Sequence, residues 1–102
     1  FYVLVDRHFK EKKKVQEYAE LLFRSPKTLS NLFAAYHIPT PLRIIHERIE
    51  TEAKRLLLYT SKNAKEIADI LGFEDLSAFS RFFKNMTGES ISSYRQREIG
   101  KN

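Results

Sequence analysis

Lys27, Ser30 and Asn31 are matched, 50 residues on, by Ser77, Ser80 and Arg81. Side chains of these types suit the edge of a base pair. An arginine fork reaches guanine O6 and N7, an asparagine amide pairs with adenine, and a serine hydroxyl accepts several partners. Leu76, beside the second group, offers an apolar surface to a thymine methyl. A merely solvated helix face could hold the same residue types. The argument for base reading is their placement, because they fall on corresponding positions of two similar segments.

Those segments form an internal repeat. Val15-Gln-Glu-Tyr18-Ala19-Glu-Leu21-Leu22 matches Ala64-Lys-Glu-Ile67-Ala68-Asp-Ile70-Leu71 at an offset of 49 residues. Thr28-Leu29-Ser30-Asn31-Leu32-Phe33 matches Ala78-Phe79-Ser80-Arg81-Phe82-Phe83 at an offset of 50. The extra residue falls between the matched segments, where a loop absorbs it without disturbing either packing face. Each copy therefore reads as a helix, a short turn and a second helix. Ala19 and Ala68 supply the small residue that a tight helix crossing favours. The second helix of each copy is expected to bury Leu29, Leu32 and Phe33, or Phe79, Phe82 and Phe83, and to present Lys27, Ser30 and Asn31, or Leu76, Ser77, Ser80 and Arg81, on its other side.

Apolar residues recur at helical spacing almost throughout and never alternate for long, so the chain is expected to be all-α. Ser25-Pro26 and Thr40-Pro41 each place a capping hydroxyl before a proline, which tolerates the first helical position because its missing N–H has no partner there anyway. Asn63-Ala64-Lys65-Glu66 reads as a variant capping box, and Gly72 and Gly88 stand where helix ends favour a left-handed residue. The expected helices span about 1–10, 14–22, 26–36, 41–59, 64–71, 75–86 and 91–99. The second has the weakest start, since Lys13 and Lys14 make poor caps.

Between the copies, Ile45, Ile49, Ala53, Leu56 and Leu57 form one stripe on a helix of about eighteen residues, hence about 27 Å long. That approaches the ~34 Å between successive major-groove faces on one side of B-DNA. The expected organisation is one domain, 1–102. It comprises a helix-turn-helix unit at 1–40, a linker helix at 41–59 and a second unit at 60–102.

Composition fits this reading and removes others. A net charge of +5 and a pI near 9.6 favour polyanionic partners. Lys12, Lys13 and Lys14, with Lys84, are candidate phosphate contacts, although the lysine run would serve equally as a solvated helix end. The eight phenylalanines lie at helical spacing among other apolar residues, which points to core rather than to stacking on single strands. Absence of cysteine excludes disulfides, thiolate metal sites and a cysteine nucleophile, and it suits a reducing cytoplasm. The histidines are scattered without a second ligand at metal spacing, and no glycine-rich phosphate loop exists. No enzyme, cofactor or membrane span is expected. The only methionine is Met86, so the chain is expected to be part of a longer protein.

The run Lys65-Glu66-Ile67-Ala68-Asp69-Ile70-Leu71-Gly72-Phe73-Glu74-Asp75, then Phe79-Ser80-Arg81-Phe82-Phe83-Lys84 and Thr87-Gly88, resembles the signature of the AraC/XylS-type regulators. Tyr94-Arg95 resembles its closing pair, Ser25 to Phe33 its first recognition helix, and Glu52 to Leu57 the end of its linker helix. Three positions depart from the pattern. Tyr36-His37-Ile38-Pro39 stands where a glycine is usual, Ile91 replaces a proline, and Asn31 replaces a frequent arginine. The resemblance implies a seven-helix domain whose third and sixth helices enter adjacent major grooves, with base contacts at the positions already named. It further implies the C-terminal DNA-binding domain of a bacterial regulator, an activator that binds promoter DNA and contacts RNA polymerase. Any sensing or oligomerising domain would lie upstream. The alternative reading is a helical protein-interaction module that no longer binds DNA.

Overall fold

The computed structural model describes residues 1–100. These contain seven helices and no strand: α1 (Tyr2–His8), α2 (Val15–Leu21), α3 (Pro26–Ala35), α4 (Pro41–Tyr59), α5 (Ala64–Ile70), α6 (Leu76–Thr87) and α7 (Ile91–Ile99). Every expected helix is present, with ends within two residues of those read from the sequence. The chain divides into two compact units, one from Phe1 to Ile49 and the other from Glu50 onward.

The helix starts follow local chemistry. Ser25 Oγ accepts from the Thr28 N–H at 3.1 Å, and Thr40 Oγ1 accepts from the Arg43 N–H at 3.3 Å. Asn63 and Glu66 form the reciprocal box, at 2.8 and 2.9 Å. Asp75 and Ser90 cap α6 and α7 in the same manner, through the Ala78 and Ser93 N–H groups. The poorly signalled α2 is capped from inside. The Glu17 carboxylate accepts from the Lys13 and Lys14 N–H groups at 3.2 and 3.1 Å.

In the first unit Val5, Phe9, Tyr18, Leu29, Phe33, Ile45 and Ile49 are buried, as is Ala19 at the α2–α3 crossing. Phe1 lies 5.6 Å from the Tyr18 ring and 5.0 Å from Phe33. The second unit buries Ala53, Leu56, Leu57, Ile67, Ala68, Leu71, Phe79, Phe83, Ile91 and Tyr94. Its aromatic rings pack in sequence: Phe73 stands 5.3 Å from Phe79, Phe79 6.1 Å from Phe83, and Phe83 5.4 Å from Tyr94. The linker stripe read from the sequence is therefore buried throughout.

One core assignment is corrected. Leu32 is 42% exposed, whereas its counterpart Phe82 is partly covered by Phe73 at 5.4 Å. The residue corresponding to Phe73 in the first copy is Arg24, which is itself exposed and brings no ring over Leu32.

Candidate nucleic-acid interface

Each second helix reaches its place through a tight turn. At the end of α5, the Gly72 N–H donates to Asp69 O and the Phe73 N–H to Ala68 O, with Gly72 at φ 82°. The end of α2 repeats both bonds, Phe23 to Glu20 O and Arg24 to Ala19 O, with Phe23 at φ 56°. A phenylalanine thus takes the left-handed position that glycine fills in the other copy. The missing glycine after α3 is resolved alike. His37 adopts φ 57°, and the Ile38 N–H closes the turn onto Phe33 O at 3.0 Å.

With Leu29 and Phe33 turned inward, 100° of rotation per residue sends Lys27, Asn31 and Ala34 to the opposite side of α3. All three are exposed, as is Ser30 beside them. In α6 the inward residues are Phe79 and Phe83, and the opposite stripe is Ser77, Arg81 and Lys84, again all exposed. Leu76 and Ser80 sit toward one flank. They help to line a hollow of about 230 Å³ with Lys84, Ala64 and the start of α7 at Ser90, Ile91 and Ser92. Leu76 is exposed and Ser80 half-buried.

On α4 the cations are paired with carboxylates, Arg43 with Glu47, Arg48 with Asp6, Lys54 with Glu50 and Arg55 with Glu52, and on α7 Arg97 pairs with Glu89 and Glu98. Among the described residues, Lys27, Asn31, Arg81 and Lys84 make no side-chain hydrogen bond or ion pair. The lysine run is mixed. Lys14 is exposed and Lys12 half-buried, while the Lys13 ammonium donates to Phe9 O and Lys10 O at 3.2 and 2.9 Å, closing the end of α1. Burial lowers the Lys13 pKa. Ala34 was passed over in the sequence, where an alanine reads as helix filler. Its place seven residues after Lys27 is the signal that finds it.

Arg95 has a role that sequence alone did not suggest. Its guanidinium donates to Thr60 O at 2.7 Å and to Lys62 O at 2.6 Å, holding the loop that leads into the Asn63 cap of α5. Among the described residues, no cluster of His, Asp and Glu suits a metal ion, and no helix is long and apolar enough to cross a membrane.

The family model of a helix-turn-helix domain matches residues 18–97. The chain belongs to the AraC-type helix-turn-helix family. It is 32% identical over 92 residues to the HTH-type transcriptional regulator YisR of Bacillus subtilis, covering 90% of this chain and 32% of that protein. It is 35% identical over 72 residues to the transcriptional activator NphR of Rhodococcus, covering 71% of this chain and 21% of NphR. The DNA-binding domain of AdpA, solved in complex with a target DNA, superposes with a TM-score of 0.83 at 23% identity. That match covers 98% of this chain and 90% of the other, a likeness of fold. The AraC-type chain spans about a third of YisR and about a fifth of NphR. Its two helix-turn-helix units are the family's architecture, and DNA binding is the function of that domain.

Proposed function

We propose that the domain recognises a specific double-stranded promoter sequence through the outer faces of α3 and α6, as the C-terminal part of a longer regulator. The base-contacting residues are Lys27, Ser30, Asn31, Leu76, Ser77, Ser80 and Arg81. Lys84, Lys12 and Lys14 contact phosphates, with Lys13 a weaker contributor because its ammonium already closes α1. The observation that carries the reading is the pair of matching stripes, each exposed opposite two buried apolar residues and each bearing polar groups without intramolecular partners. Likeness to NphR supports reading the whole protein as an activator, one that contacts RNA polymerase and acts in the cytoplasm where bacterial promoter DNA lies.

The test is a salt titration of duplex binding on a site selected from a random library. Each neutralised phosphate contributes about −0.9 to the slope of log K against log salt. A steep linear fall, together with loss of discrimination in the Asn31→Ala/Arg81→Ala double variant, is expected. No enrichment of any sequence, or salt-insensitive association, would favour the protein-interaction reading.

A further inference from the structure

The two stripes correspond in position but not in chemistry. Residue for residue, Lys27, Asn31 and Ala34 hold the same places on α3, opposite its buried pair, as Ser77, Arg81 and Lys84 hold on α6. The middle residue is an amide in one and a guanidinium in the other. The following residue, one turn further, is a bare methyl in one and an ammonium in the other. Resting on the function proposed above, we infer that the two units read base pairs of different class: α3 an adenine–thymine step through Asn31 and Ala34, α6 a guanine through Arg81 with Lys84 on the adjoining phosphate.

The argument runs from donor geometry. An asparagine amide offers one acceptor and a two-hydrogen donor, which together match adenine N6 and N7 in the major groove. Guanine presents two acceptors there, and the amide carbonyl of Asn31 would meet one of them unfavourably. Arg81 has donors only, so it matches guanine O6 and N7 and meets the adenine N6 amino group unfavourably. The Ala34 methyl lies on the stripe of Asn31 with no polar group to satisfy, and its natural neighbour in the groove is the C5-methyl of thymine. Neither Asn31 nor Arg81 has an intramolecular partner that would fix it away from the groove. Lys27 stands outside this contrast, because Ser77 in its place on α6 reads no base strictly.

Modified bases test the inference atom by atom with the wild-type fold intact. On the selected duplex, replacing the key adenine by 7-deazaadenine should weaken binding about tenfold. Asn31→Ala should abolish that sensitivity while leaving the response to 7-deazaguanine unchanged. Arg81→Ala should do the reverse. Replacing the neighbouring thymine by deoxyuridine, which lacks the methyl, should weaken wild type several-fold and Ala34→Gly no further. Asn31→Arg should convert the adenine preference to guanine at that position alone. Guanine sensitivity in both halves of the site, or adenine sensitivity that survives Asn31→Ala, would overturn the inference while leaving DNA recognition standing. If no duplex is enriched at all, the proposed function fails and this inference fails with it.

Discussion

Single side chains decide how the first unit closes and, under the proposed function, what the molecule reads. The Tyr18 ring is fully buried, and its hydroxyl donates to Lys12 O at 2.7 Å, fixing the link between α1 and α2. Burial, with Glu17 and Glu11 nearby, pushes its pKa up to about 12 from an ordinary value of 10.0. Tyr18→Phe should destabilise the protein by ~1 kcal/mol at neutral pH, since the carbonyl loses its partner. A hydroxyl whose pKa rises on folding favours the native state only while both states keep the proton. The unfolded chain begins to ionise first, so the difference between wild type and Tyr18→Phe should shrink as pH climbs from 10 toward 12. Denaturant midpoints across that range measure it. At the reading surface, Arg81→Ala should remove ~1–3 kcal/mol and relax the preference at one base pair, whereas Lys12→Ala should weaken all sequences slightly and alike. Affinities for single-base variants at fixed salt separate the two. An equal loss for every variant in Arg81→Ala would make Arg81 a phosphate anchor.

At the scale of elements, the turns explain what the sequence disclosed and what it hid. Gly72 and Asn63 are residues whose own chemistry specifies a left-handed turn and a cap, so the second unit was legible from them. The first unit makes the same turns with Phe23 and His37, neither of which signals positive φ, and caps α2 from Glu17 one turn inside. Beyond the Ser25 and Thr40 caps, its geometry was therefore legible only through the repeat. Leu32 was misread because adjacent apolar residues cannot both point inward without a cover for the second, and Arg24 supplies none. The outward residues of α3 and α6 were legible because the buried pairs Leu29/Phe33 and Phe79/Phe83 fix the rotation. Gly72→Val should destabilise the protein by ~1–3 kcal/mol, since a branched side chain resists φ 82°. Phe23→Gly should do the opposite. The phenylalanine is 95% exposed, so its removal sacrifices little burial while relieving a left-handed conformation, for a gain of up to ~1 kcal/mol. Melting of both variants beside wild type checks the pair, and a destabilised Phe23→Gly would show that the ring makes a contact worth more than the strain.

Across the whole molecule, each unit holds its own buried set, and neither set is large enough to tolerate a serious loss. Phe79→Ala should remove ~3–5 kcal/mol from the second unit. Amide exchange should then accelerate through α5, α6 and α7 while amides of α2 and α3 keep their protection. Uniform acceleration along the chain would mean that the two units unfold as one. The Arg95 clasp carries this further. The loop entering α5 is held by a guanidinium from the last helix, and Phe83 of α6 lies against Tyr94 of that same helix. A premature stop codon between Glu89 and Tyr94 would leave every candidate base-reading residue encoded and translated, yet strip the support beneath α6. Such an allele would behave as a null for recognition despite an intact set of candidate reading side chains, and the codons of Tyr94 and Arg95 belong to the proposed DNA-binding capacity as much as those of α3 and α6 do.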